Sequence, residues 1–109
     1  MTTVSSPFLD GVAQRWQEFI RRPEFGGVQY SVNLDRSIGK LVIEFWCQSH
    51  VGSVGAWENA HCLDVDLLDM GTKQGSMLSI GPCTDDSEVQ ARIEALRSFL
   101  HGAVRSERP

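Results

Sequence analysis

Hydrophobic and polar side chains alternate along residues 62–69 with the period of two that is expected of a β-strand. The alternating positions are Leu63, Asp64, Val65, Asp66 and Leu67. This pattern predicts a strand whose apolar face lies against a core and whose carboxylate-bearing face meets water. The other predicted strands are assigned to one of these two faces by the same alternation.

Three more strands are predicted around this one. Residues 28–34 alternate between apolar and polar side chains, and residues 41–48 carry bulky side chains on both faces. Bulk on both faces is expected of a central strand, or of a strand whose outer face is covered. Residues 76–80 form a short last strand after a hairpin turn at residues 71–75.

The stretch from His50 to Trp57 is the longest connection that contains glycine. It lacks the Gly-Lys-Ser/Thr ending of a phosphate loop and the spacing of a dinucleotide fingerprint, so no nucleotide cofactor is predicted. We interpret this stretch as a mobile loop.

Apolar residues recur at helical spacing near both ends of the chain. Ser6 before Pro7 predicts an N-cap followed by proline at the first helical position, and this helix should end at about Arg22. A capping box at residues 85–88 predicts the start of a second helix, whose apolar stripe ends at Val104.

The predicted fold is therefore α+β, with the order α-β-β-β-β-α. Short connections between consecutive strands force antiparallel pairing, which gives a four-stranded antiparallel meander. Both amphipathic helices need apolar cover, so the N-terminal and C-terminal helices are expected to pack on one face of the sheet. The chain of 109 residues is expected to be a single domain, 1–109, with disordered tails at 1–5 and 105–109.

Strand parity divides the predicted sheet into two faces. The face under the helices should carry Tyr30, Val32, Ile43, Phe45, Leu63, Val65, Leu67, Leu78 and Ile80. The opposite face should carry Gln29, Ser31, Asn33, Glu44, Trp46, Gln48, Asp64, Asp66 and Met77. The second face is mostly polar, yet it includes a tryptophan among carboxylates.

This mixture predicts a surface that binds a partner protein. Tryptophan is a frequent hot-spot residue, and carboxylates around it suit lysine or arginine from the partner. The expected partner-binding residues are Glu44, Trp46, Trp57, Asp64, Asp66 and Asp69. Two alternatives stay open: the loop that bears Trp57 folds back over Trp46, or the carboxylates are simply a solvated face.

Composition and charge narrow the function classes. The hydrophobic share of 41% and the charged share of 22% are typical of a folded globular chain. The net charge is −4, and residues 41–94 hold two Lys/Arg against nine Asp/Glu. Such a field repels nucleic acid and attracts basic partners. No segment has the roughly 20 apolar residues of a membrane span, and three cysteines suit a reducing compartment, so a cytoplasmic location is expected.

Histidine and cysteine do not form a recognisable catalytic or metal-binding motif. The candidates are His50, His61, His101, Cys47, Cys62 and Cys83. There is no Cys-x-x-Cys pair, and neighbours such as His61 and Cys62 point to opposite faces of an extended segment. We therefore predict no catalytic residue, no metal site and no cofactor.

In size, acidity and α+β organisation without catalytic residues, the chain resembles the small cytoplasmic immunity proteins that neutralise bacterial polymorphic toxins, including those of contact-dependent growth inhibition systems. The resemblance covers the whole chain and is one of overall profile. It implies an antitoxin that specifically binds a cognate, cationic toxin domain, commonly a nuclease. The chain is expected to act as a monomer rather than a dimer.

Two other functions are considered. Type III secretion chaperones are also small, acidic and α/β, and they work as dimers that hold an extended effector segment. This chain departs from that pattern because no helix is predicted between its third and fourth strands. A small enzyme, with Glu44 and Asp64 or Asp66 as an acid/base pair, is the third possibility, although raised carboxyl pKa values require burial.

Overall fold

The structure, a computed structural model, describes residues 6–83 and 85–106. The elements in chain order are α1 (Pro7–Ile20), a 3₁₀ turn (Pro23–Phe25), β1 (Gln29–Asp35), β2 (Lys40–Trp46), β3 (His50–Trp57), β4 (Cys62–Asp69), β5 (Gly75–Ser79) and α2 (Asp86–Ser106). The predicted α+β class with a helix at each end is confirmed. The predicted number of four strands is wrong, because the sheet has five.

The five strands form one antiparallel sheet in which spatial order follows chain order, β1-β2-β3-β4-β5. The register aligns buried side chains across the central strands, with Ile43 opposite Val54 and Val54 opposite Val65. Connections of three to five residues join the strands, as a meander requires.

The extra strand is β3, for which the sequence pattern favoured a mobile loop. Its glycines make room for aromatic rings rather than for a turn. A Cβ added at Gly52 would lie 2.6 Å from Cζ of Phe45, and one added at Gly55 would lie 3.0 Å from the ring of Trp57. Glycine is depleted in strands, so the pattern alone favoured a loop, but close packing of side chains reverses that preference here.

The core lies between the helices and one face of the sheet. The buried strand residues are Leu41, Ile43, Phe45, Val54, Ala56, Leu63, Val65 and Leu67. The helices contribute Leu9, Val12, Trp16, Phe19, Ile20, Val89, Ile93, Leu96 and Leu100 to the same cluster. Trp16 is fully buried, and its ring centroid lies 5.4 Å from that of Phe45, which joins α1 to the middle of the sheet.

Three residues that were predicted to lie under the helices are exposed. Tyr30 and Val32 keep 37% and 42% of their surface accessible because β1 is an edge strand, where the helical cover is incomplete. Ile80 is 70% exposed because it follows the end of β5. The other assignments to this face are confirmed, with Leu78 only partly buried beside a bulge in the β4–β5 pairing.

The N-terminus of α1 is capped differently from the prediction. Ser6 is the N-cap residue, but its side chain makes no capping hydrogen bond. The carboxylate of Glu58 instead accepts a hydrogen bond from the backbone N–H of Phe8 at 3.0 Å, and a second one from Leu9 at 3.3 Å. The helix ends at Ile20, two residues before the predicted end.

The predicted N-cap of α2, Asp85, is confirmed. The side chain of Asp85 accepts a hydrogen bond from the backbone N–H of Glu88 at 2.9 Å. The helix continues to Ser106, two residues into the predicted C-terminal tail. The predicted tail at 1–5, and residues 107–109 of the other, lie outside the described residues.

Candidate functional site

The sheet face that points away from the helices is here called the open face. It carries the even-numbered side chains of β2 and β4. The register places one row of side chains across it, with Ser31, Glu44, Ser53, Asp66 and Met77 on successive strands. Glu44 and Asp66 therefore flank Ser53, on strands that lie about 10 Å apart. The predicted placement of these two carboxylates on one face is confirmed.

The next row on the open face is apolar and contains Trp46. Trp46, Val51 and Leu68 are aligned on β2, β3 and β4. The indole of Trp46 is 40% exposed, and its N–H donates a hydrogen bond to the side-chain oxygen of Gln29 at 2.9 Å. This bond holds the ring at the margin of the row, as predicted from its parity.

These two rows line a concavity of about 740 Å³. Its apolar wall is formed by Val42, Trp46, Val51, Leu68 and Met70, and its polar wall by Glu44, Ser53 and Asp66. Aliphatic and aromatic surface next to carboxylates is suited to a side chain that has an apolar stem and a cationic head. We refer to this feature as the open-face concavity.

The two carboxylates of the concavity differ in their partners. Asp66 accepts a hydrogen bond from the hydroxyl of Ser53 at 2.9 Å, and its side chain is exposed. The carboxylate of Glu44 is exposed and makes no hydrogen bond or ion pair with the described residues. Glu44 is therefore available to a ligand without the loss of an internal contact.

Trp57 lies at the other end of the open face and does not cover Trp46. Trp57 is aligned with Lys40, whereas Trp46 is six residues further along β2, roughly 20 Å away. The ring of Trp57 lies against Gly55, and Nζ of Lys40 is 5.5 Å from its centroid. The alternative in which a loop folds back over Trp46 is wrong, because that segment is β3.

Asp64 lies on the open face but serves the chain connection after β5. Its carboxylate accepts a hydrogen bond from the backbone N–H of Gly81 at 2.9 Å, where the backbone has a φ of 87°. The thiol of Cys62 is 3.6 Å from the same oxygen. Burial, with the Asp64 charge next, raises the pKa of Cys62. Asp64 thus has a structural task outside the concavity.

Asp69 also has a structural task, and its parity places it on the helical side of β4. Its carboxylate accepts hydrogen bonds from the backbone N–H groups of Thr72 and Gly71, at 3.1 and 2.8 Å. The bond from Thr72, followed by that from Gly71, lowers the pKa of Asp69. An aspartate two residues before glycine is a known turn signal, so this role was readable from the sequence.

His50 forms a small polar cluster beside Asp69. Its Nδ1 lies 2.7 Å from the Ser49 hydroxyl, and its Nε2 lies 3.6 Å from the carboxylate of Asp69. The ring packs edge-on to Phe99 of α2, with centroids 5.1 Å apart. The imidazole is 14% exposed, so it joins the end of β3 to the last helix.

The apolar wall of the concavity was only partly anticipated. Val42 and Leu68 are apolar residues at positions where the alternation on β2 and β4 predicts polar ones. These apolar side chains on the polar face were the signal in the sequence for an apolar wall. Val51 was assigned to a loop, so its alignment with Trp46 was not foreseen. The concavity depends on this alignment because β3 forms its floor.

No family model, curated protein or solved structure matches this chain. What the protein does is therefore inferred from the geometry of its own surface. Among residues 6–83 and 85–106, no helix is both long and apolar enough to cross a bilayer.

The described part of the chain holds no group of three or more His, Cys, Asp or Glu residues placed to bind a metal ion. Cys47, Cys62 and Cys83 are all unpaired thiols. The pKa of Cys83 is raised by burial, which disfavours the reactive thiolate.

Proposed function

We propose that this protein is an immunity protein that binds and neutralises a cationic toxin domain in the cytoplasm. The observation that carries the proposal is the open-face concavity, in which an exposed apolar wall around Trp46 adjoins the carboxylates of Glu44 and Asp66. A protein partner that contributes lysine or arginine side chains fits both walls.

The two walls have different tasks in this proposal. The carboxylates attract a basic surface at long range and raise the rate of association. Trp46 and its apolar neighbours then bury the stems of the partner's side chains and slow dissociation. The toxin is inactive in the complex because its basic surface, which would contact nucleic acid, is occupied.

The type III secretion chaperone is the second candidate, and the connectivity of the sheet argues against it. All four connections between strands are three to five residues long, so no helix is inserted to form the dimer interface of that class. The two functions also differ in the ligand, which is a folded domain for an immunity protein and an unfolded segment for a chaperone.

The test is co-expression with a candidate toxin domain, which a large secreted protein encoded next to this gene would supply. The wild-type chain should protect the cells and form a one-to-one complex with the folded domain. The variant with both Glu44→Lys and Asp66→Lys should associate much more slowly at low salt, because it repels a cationic partner. Asp64 is left unchanged because its carboxylate accepts a hydrogen bond from the backbone N–H of Gly81.

A matched control is Glu18→Lys combined with Glu94→Lys, which makes the same charge change on exposed or half-exposed helix positions. The proposal requires that this control still protects. Equal association rates for the two double variants would contradict binding through the open face, and binding only to the unfolded domain would favour the chaperone.

A further inference from the structure

The two edges of the sheet are built differently. β5 is short, with five residues, and its pairing with β4 contains a register shift between Val65 and Asp66. β1 has seven residues paired without interruption to β2, and its outer edge has no neighbouring strand in the described chain. On the core side of β1, Tyr30 is 37% exposed and Val32 is 42% exposed.

An unpaired sheet edge of this length normally has a feature that blocks pairing with another strand. Unpaired N–H and C=O groups are a template for another strand, and proteins block them with lysine, proline, bulges or a covering segment. The sequence of β1, Gln29–Asp35, contains neither lysine nor proline, and its single charge is at its last residue. The edge is therefore open to pairing.

We propose that β1 pairs antiparallel with β1 of a second copy of this chain, around a two-fold axis at Val32. This register pairs all seven residues of both strands. It places Val32 opposite Val32 of the second copy, Tyr30 opposite Leu34, Ser31 opposite Asn33, and Gln29 opposite Asp35. The result is a continuous ten-stranded sheet.

The second copy is the favoured occupant because β1 is complementary to itself in this register. Apolar residues face one another on the helical side, and polar residues face one another on the open side. No like charges meet, since Asp35 faces Gln29. The oxygen of Gln29 already accepts from Trp46, which leaves the amide NH₂ to donate to the Asp35 carboxylate.

The proposed dimer differs from the monomer expected from the sequence, and it does not depend on the proposed function. Because the two-fold axis is perpendicular to the sheet, the open faces of both copies point to the same side. The open-face concavity is formed by β2, β3 and β4, so pairing at β1 leaves it accessible.

The test is sedimentation equilibrium of the purified chain over a wide range of concentrations. The mass should rise from 12.1 kDa towards twice that value, with a dissociation constant on the order of micromolar, as small interfaces give. Val32→Lys places two like charges at the axis and should raise the dissociation constant by at least about tenfold. Circular dichroism checks that the variant is folded.

Ile80→Lys is the matched control, because Ile80 is exposed at the other edge of the sheet. It should dimerise like the wild type. A wild-type chain that stays at 12.1 kDa throughout would overturn the proposal. So would equal dissociation constants for the two lysine variants.

A second measurement tests the register without relying on a charged variant. In a chain whose native Cys47, Cys62 and Cys83 are replaced by alanine, Val32→Cys should be cross-linked to a dimer by a short bifunctional thiol reagent, because the two Val32 positions are directly opposed. Ile80→Cys should stay monomeric under the same treatment. Cross-linking of Ile80→Cys but not of Val32→Cys would show that another surface forms the dimer.

Discussion

The carboxylate of Glu58 accepts a hydrogen bond from the backbone N–H of Phe8, fifty positions earlier in the chain. Glu58 follows β3, and Phe8 is in the first turn of α1. This contact gives the positive end of the helix a negative charge and satisfies N–H groups that the Ser6 side chain leaves unpaired. The position of α1 is thereby tied to the turn between β3 and β4.

Removal of this cap should destabilise the protein. We expect Glu58→Ala to lower the free energy of unfolding by about 1–2 kcal/mol, since two backbone donors lose their acceptor. Urea denaturation measures the change. Glu44→Ala, which removes an exposed carboxylate on the same sheet, should change the stability by less than about 0.5 kcal/mol. Equal effects would mean that Glu58 is not a cap.

The glycine at the centre of β3 should be intolerant of a side chain. A Cβ at Gly52 would lie 2.6 Å from the carbonyl oxygen of Asp66 and equally close to the ring of Phe45. We expect Gly52→Ala to lower the unfolding free energy by about 1–3 kcal/mol through overpacking. Gly27→Ala is the control, because no atom lies within 4 Å of its added Cβ. A stable Gly52→Ala variant would favour the loop interpretation of this segment.

The burial of alternate residues on β2 can be checked with neighbouring substitutions. Ile43 is fully buried, so Ile43→Ala should lower the unfolding free energy by about 2–5 kcal/mol. Val42 points to the open face, and Val42→Ala should cost less than about 1 kcal/mol. Thermal and denaturant unfolding of both variants give the comparison. The opposite ranking would invert the two faces of the sheet.

Variants of the two tryptophans of the open face can show whether the partner binds at the concavity or across the whole face. If the proposed function holds, Trp46→Ala should weaken binding of the toxin domain by about 2 kcal/mol or more while changing the stability by less than about 1 kcal/mol. Trp57 lies roughly 20 Å away on the same face, so Trp57→Ala should leave the affinity unchanged. Titration calorimetry with the toxin domain measures both affinities. An equal loss of affinity for both variants would show that the partner contacts the whole open face.

Asp69 should contribute stability that depends on pH. Its pKa in the folded protein lies below the ordinary value of 3.8, so its contribution is present above that value and is lost as the pH falls through the folded-state pKa. Asp69→Asn keeps an acceptor for Thr72 and Gly71 but does not titrate. Between about pH 5 and pH 2, the wild type should therefore lose more stability than this variant. Parallel stability curves would contradict the role given to the carboxylate.

The parts of the fold that were predictable are those in which one face of an element is buried. Alternation placed Ile43 and Leu63 in the core because a shift of one residue would expose the whole apolar set. β3 was not predictable in the same way, because Gly52 and Gly55 have strand conformations that depend on Phe45 and Trp57. The contact between Gly52 and Phe45 exists only after β2 and β3 have paired.

The candidate site was predictable to a similar extent. Parity alone brought Glu44, Trp46 and Asp66 to one face, and the register confirms that they line one concavity. Parity also grouped Asp64 with them, and Asp69 was added as a neighbouring carboxylate, but both carboxylates accept hydrogen bonds from backbone N–H groups outside the concavity. The turn role of Asp69 was readable from Gly71 two residues later, whereas the hydrogen bond from Gly81 to Asp64 depends on loop geometry that the pattern of polar residues does not encode.

The order of the sheet also sets the order in which the chain can fold. Each strand pairs with its neighbours in sequence, so the hairpins close over short distances, whereas α1 and α2 are separated by residues 21–85. During synthesis from the N-terminus, the strands emerge before α2, whose apolar residues share one buried cluster with Leu63 and Val65. The nascent chain therefore presents an apolar sheet surface on the ribosome until α2 has been made, and this is the interval in which a chaperone would be needed.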